Sequence, residues 1–149
     1  MAARRRARGF TLLEVLLVLV IAAAGYALVI RFTGAGVSGA ELKSAARAVA
    51  AGLRDARGTA IATQEPATLT VDLERRTIEV TGAARPRALP ERLELKLYTA
   101  QSEARDERHG AIRFFPDGSS TGGRVTVAAG ERKLLVDVDW LTGRVSIKD

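Results

Sequence analysis

Residues 10–30 read FTLLEVLLVLVIAAAGYALVI, a 21-residue run that is apolar except for Thr11 and Glu14. At ~1.5 Å of rise per residue, a helix of this length reaches about 31 Å, enough to cross the hydrocarbon core of a bilayer. Glu14, near the start, is the anomaly. A carboxylate facing lipid costs roughly 2.5–3.5 kcal/mol at the centre of a membrane helix, and less toward its ends. Such a residue marks a functional site by default and needs a partner. An α-amino group made by cutting the chain after Gly9 would serve. In low dielectric, a fresh ammonium and a carboxylate stabilise each other far more than in water.

The flank agrees with a cut. Residues 1–9, MAARRRARG, carry Arg4, Arg5, Arg6 and Arg8 and no acid. That excess of arginine favours a cytoplasmic N-terminus, with the rest of the chain delivered across the membrane. Removing the leader lowers the formal charge from +6 to +2. The sequence pI of about 10.5 therefore resides largely in a topogenic tag and is not read as a nucleic-acid footprint. Three plainer readings of the segment compete. It could be an ordinary anchor with an incidental Glu14. It could be a secretory signal, with Ala22-Ala23-Ala24 as an A-x-A site and Gly25 as the mature start. It could be a twin-arginine signal built on Arg4-Arg5. A glutamate inside the apolar core and the length of the run argue against the second, and the poor remainder of the motif argues against the third.

Arg8-Gly9-Phe10-Thr11-Leu12-Leu13-Glu14 resembles the processing motif of type IV pilins and type II secretion pseudopilins. The resemblance implies cleavage by a prepilin peptidase between Gly9 and Phe10, and N-methylation of Phe10. Glu14 is then the fifth mature residue. When helices bundle, it would pair with a Phe10 amine and set the register between subunits, because an unpaired charge resists burial.

Residues 31–149 suit one small domain. The chain has no cysteine, so neither disulfides nor thiolate metal ligands are available. The single His109 leaves no histidine pair for a metal. Residues 41–62 predict an amphipathic helix whose narrow stripe is Leu42, Ala45, Val49, Leu53, Ala56 and Ala60. So small a stripe should lie close on a flat apolar surface such as a sheet. Ser38 or Gly39 marks a break before it, and Gln64-Glu65-Pro66 ends it. Beyond Pro66 the period changes from 3.6 to 2. Seven short strands are expected between about 67 and 148, centred on Leu69–Leu73, Ile78–Val80, Leu93–Leu97, Ile112–Phe114, Val125–Val127, Leu134–Trp140 and Val145–Ile147. Trp140 continues the inward-facing series of Leu134, Val136 and Val138. Residues 99–110 read as an exposed charged loop holding His109.

Phe115-Pro116-Asp117-Gly118-Ser119-Ser120-Thr121-Gly122-Gly123 and Val138-Asp139-Trp140-Leu141-Thr142-Gly143-Arg144-Val145 look like the C-terminal end of the H-type minor pseudopilin family (GspH/FimT). Leu53-Arg54-Asp55-Ala56-Arg57 looks like that family's helix end. The expected fold is α+β: a long N-terminal transmembrane helix, then an antiparallel β-rich pilin-like domain of two packed sheets. The expected organisation is a cleaved leader 1–9, a transmembrane and filament-core helix 10–30, and a periplasmic domain 31–149. The resemblance implies a non-enzymatic tip subunit of a periplasmic filament that helps export folded proteins. Its partners would be other minor and major pseudopilins, the prepilin peptidase and the inner-membrane secretion platform. No cofactor, metal or nucleic acid is expected.

Plainer features temper the C-terminal motifs. GSSTGG lacks the G-x-x-x-x-G-K-[ST] spacing of a phosphate loop and reads as a hairpin loop. Asp117, Asp137 and Asp139 fall short of the six to eight oxygens that calcium needs. Arg144 and Lys148 are a thin basic patch. The alternatives are a type IV minor pilin, with DNA binding as a variant, and a secreted β-domain with a conventional signal.

Overall fold

The computed structural model describes residues 11–33, 38–100 and 108–149, with side chains of 27–33 left aside. Gly9 and Phe10 lie outside the described residues, as does most of the expected 99–110 loop. The chain divides into two units, residues 1–36 and 37–149.

Helix α1 spans Leu12–Thr33. Thr11 caps it, its Oγ1 accepting the Glu14 backbone N–H at 3.2 Å. Thr-x-x-Glu is the sequence of a capping box, and a carboxylate in the first turn is favoured by the helix dipole. Every large apolar side chain described on α1 is exposed, from Leu12 at 85% to Val15 at 49%.

Helix α2 spans Gly39–Thr63. It starts on a second box of the same type: Ser38 Oγ accepts the Glu41 N–H at 3.1 Å. Ser38, expected as a break, is thus the N-cap. Gln64 ends the helix in the left-handed region, at φ 58°. The expected stripe is buried in full, joined by Ala46, Ala50 and Gly52.

Eight strands follow: β1 Ala67–Asp72, β2 Thr77–Val80, β3 Arg87–Ala88, β4 Glu94–Thr99, β5 His109–Phe114, β6 Gly123–Ala129, β7 Arg132–Val138 and β8 Val145–Lys148. They form two antiparallel sheets, ordered β3-β2-β1-β5 and β4-β6-β7-β8. In the first, Leu69 faces Val80 on one side and Ile112 on the other. In the second, Val125 faces Leu97 and Val136. Helix α2 lies against strands of both sheets. The core is its alanine-rich stripe with Leu53 and Val49, packed on Leu69, Val71, Ile112, Phe114, Val125, Val127 and Val136. Small residues let the helix backbone approach the sheets. A Cβ on Gly52 would stand 2.9 Å from Leu69 Cδ1. Gly52→Leu is therefore expected to overpack this contact and cost about 1–3 kcal/mol, read as a lower urea midpoint.

Three expectations are corrected. Strand β3 adds an eighth strand; two residues between Pro86 and Pro90 carry no alternation to read. His109 is no loop residue: it opens β5 opposite Asp72, with Nε2 3.2 Å from Asp72 Oδ2. Trp140 is no core residue. Strand β7 stops at Val138, and Trp140 sits in the following turn, 65% exposed.

Candidate functional site

At the N-terminal end, Glu14 stands in the first turn of α1 with its side chain exposed. Among the described residues no helix is long and apolar enough to cross a membrane.

At the other end of the sequence, the three motif segments meet. After β5, Pro116-Asp117-Gly118 turns the chain back on itself. Gly118 N–H donates to the Phe115 carbonyl at 2.9 Å, and Phe115 N–H to that of Ser119 at 2.9 Å. Asp117 Oδ1 accepts the Ser119 hydroxyl at 2.6 Å and its backbone N–H at 2.9 Å. After β7, Asp139 builds the companion turn, its Oδ1 accepting the Thr142 hydroxyl at 2.7 Å and backbone N–H at 2.8 Å. Ser120, the one buried polar residue among the described residues, joins the turns. Its N–H donates to the Trp140 carbonyl at 2.8 Å and its hydroxyl to the Asp139 carbonyl at 3.1 Å.

Arg57 closes the assembly from α2, its Nε donating to the Gly118 carbonyl at 3.0 Å. Gly143, at φ +61°, passes directly against that carbonyl and the Arg57 side chain. The three segments singled out in the sequence are thus one joint. Arg57 was missed as its keystone. A helix arginine 61 residues from its acceptor leaves no local signal.

This geometry bears on the competing readings. The amides of GSSTGG are occupied: Ser119 on Asp117, Ser120 on Trp140, Thr121 on Arg113 and Gly122 on Ser120 Oγ. With Gly118 bound to Phe115, the loop offers no run of free amides of the kind that cradles a phosphate. Asp137 accepts Arg124 and lies 2.9 Å from Lys148 Nζ. With Asp117 and Asp139 engaged by hydroxyls, no group of three metal-ligating side chains is found among the described residues.

These contacts hold the carboxylates below their ordinary range. For Asp137 the main cause is the hydrogen bond from Arg124, with Lys148 adding to it. For Asp139 and Asp117 it is the hydroxyls of Thr142 and Ser119, and for Asp72 the backbone N–H of Arg75. A depressed folded-state pKa contributes stability that is present above the unfolded value, about 3.9, and lost as pH falls through the folded one. Thermal unfolding midpoints should therefore be flat near neutrality and drop below about pH 4. Asp137→Asn should flatten that acid limb.

Two solved structures share the fold. The minor pseudopilin EpsH from the type 2 secretion system of Vibrio cholerae matches with TM-score 0.57 and 13% identity, over 72% of this chain and 96% of that one. The type IV minor pilin FimU of Pseudomonas aeruginosa matches with TM-score 0.54 and 18% identity, over 73% and 89%. An apolar helix followed by a capped helix laid on two antiparallel sheets is the architecture of a pilin-type subunit. Within that class, residues 45–142 match the family of the type II transport protein GspH, and residues 4–29 match the prokaryotic N-terminal methylation motif. The type II secretion system protein H of Xanthomonas campestris pv. campestris is 42% identical over 143 residues, 95% of this chain and 83% of that protein. The chain belongs to the GspH family of type II transport proteins.

Proposed function

We propose that this GspH-family protein works as a minor pseudopilin at the tip of the type II secretion pseudopilus. There it joins other minor and major pseudopilins and helps export folded proteins. The observation that carries the reading is α1: all its described large apolar side chains are exposed, and from Leu12 to Ile30 its only charged residue is Glu14 in the first turn. A helix apolar all round is built for a non-aqueous environment. Two such environments fit, the bilayer before assembly and the filament core after it. Residues 10–30 would span the inner membrane in the precursor, with leader 1–9 in the cytoplasm and residues 31–149 in the periplasm. Prepilin peptidase would cut between Gly9 and Phe10, and Phe10 would be N-methylated. The role is mechanical rather than enzymatic.

Mass spectrometry of the N-terminal peptide from cells tests the processing. A chain starting at a methylated Phe10 is expected, and Gly9→Arg should leave an unshifted precursor. A start at Gly25 or Met1 would sink the proposal. The likeness to FimU favours one second reading, a type IV minor pilin. Loss of pili with intact protein secretion in a deletion strain would decide for it.

A further inference from the structure

The β7–β8 turn presents Trp140 and Leu141 side by side, 65% and 63% exposed. Tyr98, also exposed, lines a groove of about 510 Å³ together with Trp140. Single exposed apolar side chains are ordinary, whereas adjacent ones on a fixed backbone mark a contact site. The backbone here is fixed. Ser120 holds the carbonyls of Asp139 and Trp140, Gly143 N–H donates to the Asp139 carbonyl at 2.9 Å, and Asp139 Oδ1 ties down Thr142. An indole presented on a rigid turn loses little freedom on docking, and tryptophan is enriched among the residues that dominate interfaces.

A second groove, of about 550 Å³, flanks the same turn. Arg54, Arg57 and Arg144 line it with Thr142, and no carboxylate does. Arg57 Nε is engaged by the Gly118 carbonyl, and Arg54 reaches the Val145 carbonyl only at 3.5 Å. Arg144 is exposed. Apolar knuckle and cationic floor thus adjoin one short turn, and Arg144 lines both grooves.

We propose that this turn docks a segment of another pilin-type subunit that carries an apolar side chain beside carboxylates. The apolar group would meet Trp140 and Leu141, and the carboxylates the guanidinium groups, whose fork geometry suits them. A nucleic acid fits less well. In the Trp140 groove the cations Arg124, Arg144 and Lys148 stand beside Asp137 and Asp139, Asp137 engaging Arg124 and Lys148 and Asp139 facing Arg144, so little free positive charge is left for phosphates, and Leu141 offers no stacking face. The proposal rests on the chain's role as an assembling subunit.

The test is photocrosslinking of the full chain in secreting cells, with p-benzoylphenylalanine replacing Trp140 in one strain and the exposed Arg47 in a control. An adduct from position 140 to an acidic, apolar stretch of another pilin-type subunit is expected. Arg54→Glu with Arg144→Glu should cut its yield at least about tenfold, the scale of an interface hot spot. Secretion and adducts from position 47 without any from position 140 would overturn the docking site while leaving the secretion role intact. Absence of adducts from both positions, with secretion unaffected by deleting the protein, would overturn both. An adduct insensitive to the arginine changes also refutes the proposal. So does salt-sensitive binding of duplex DNA by the full chain that is lost in Trp140→Ala.

Discussion

Gly143→Ala is expected to cost upwards of about 4 kcal/mol, a size reserved for changes with a definite structural cause. Two causes act at this position. The backbone sits at φ +61°, where an L-residue costs roughly 1–2 kcal/mol. In addition, the new Cβ would collide with the Gly118 carbonyl oxygen and stand 2.8 Å from Arg57 Nε. No rotamer relieves a clash between two backbones, so one turn must move. Either movement breaks the hydrogen bond from Arg57 to Gly118 and uncouples α2 from both loops. Gly130 separates the two causes: its φ is +59°, yet nothing lies within 4 Å of its Cβ position. Gly130→Ala should therefore show the backbone cost alone. Urea unfolding of the full chain in detergent measures both variants. Equal losses at the two positions would show that the joint contributes nothing beyond local conformation. A domain of ordinary stability, about 5–15 kcal/mol, has little room for the larger loss.

What the sequence made legible is what local pattern controls. The α2 stripe was readable because leucine, valine and alanine at spacings of three and four can be buried in only one helical phase. The two Ser/Thr-x-x-Glu boxes are equally local, yet the apolar pattern passed over them and set the second helix start at residue 41, where the structure caps it at Ser38. Alternation revealed the longer strands but not their ends. Parity carried Trp140 inward with Val136 and Val138, although Asp139 was already turning the chain through its bonds to Thr142. Asp-Trp-Leu-Thr-Gly is a turn sequence, and its Thr-Gly pair outranks the parity of one residue. His109 was hidden for the opposite reason. Its strand character comes from pairing with β1, a long-range contact, while its neighbours in sequence are charged. The candidate joint was legible as three separate motifs and illegible as one object. Its keystone is a single contact from Arg57, on a side of α2 that periodicity marks only as polar.

Glu14→Ala is expected to leave the chain inserted and processed, yet reduce its incorporation into the pseudopilus more than a hundredfold. The size follows from burial: breaking a buried ion pair by removing one partner costs about 3–5 kcal/mol, because the other charge is left unpaired, and 1.4 kcal/mol is a factor of ten. A smaller role for Glu14 competes with this one. In the first turn of α1, on a Thr11 cap, its carboxylate also complements the helix dipole, an effect worth about 0.3–1 kcal/mol. Glu14→Gln and Thr11→Ala distinguish the two. Glutamine keeps the shape and polarity of a capping box but removes the charge, so a helix-start role predicts near-normal assembly. The ion-pair role predicts a failure as deep as with alanine. Thr11→Ala removes the observed cap, at a typical cost of about 1 kcal/mol, and leaves the charge. It should assemble at reduced but measurable level. Quantifying sheared filaments by immunoblot, with processed chain in the membrane fraction as the reference, reads all three variants. Assembly of Glu14→Gln at parental level would remove the register role and leave Glu14 as a capping residue in an apolar helix.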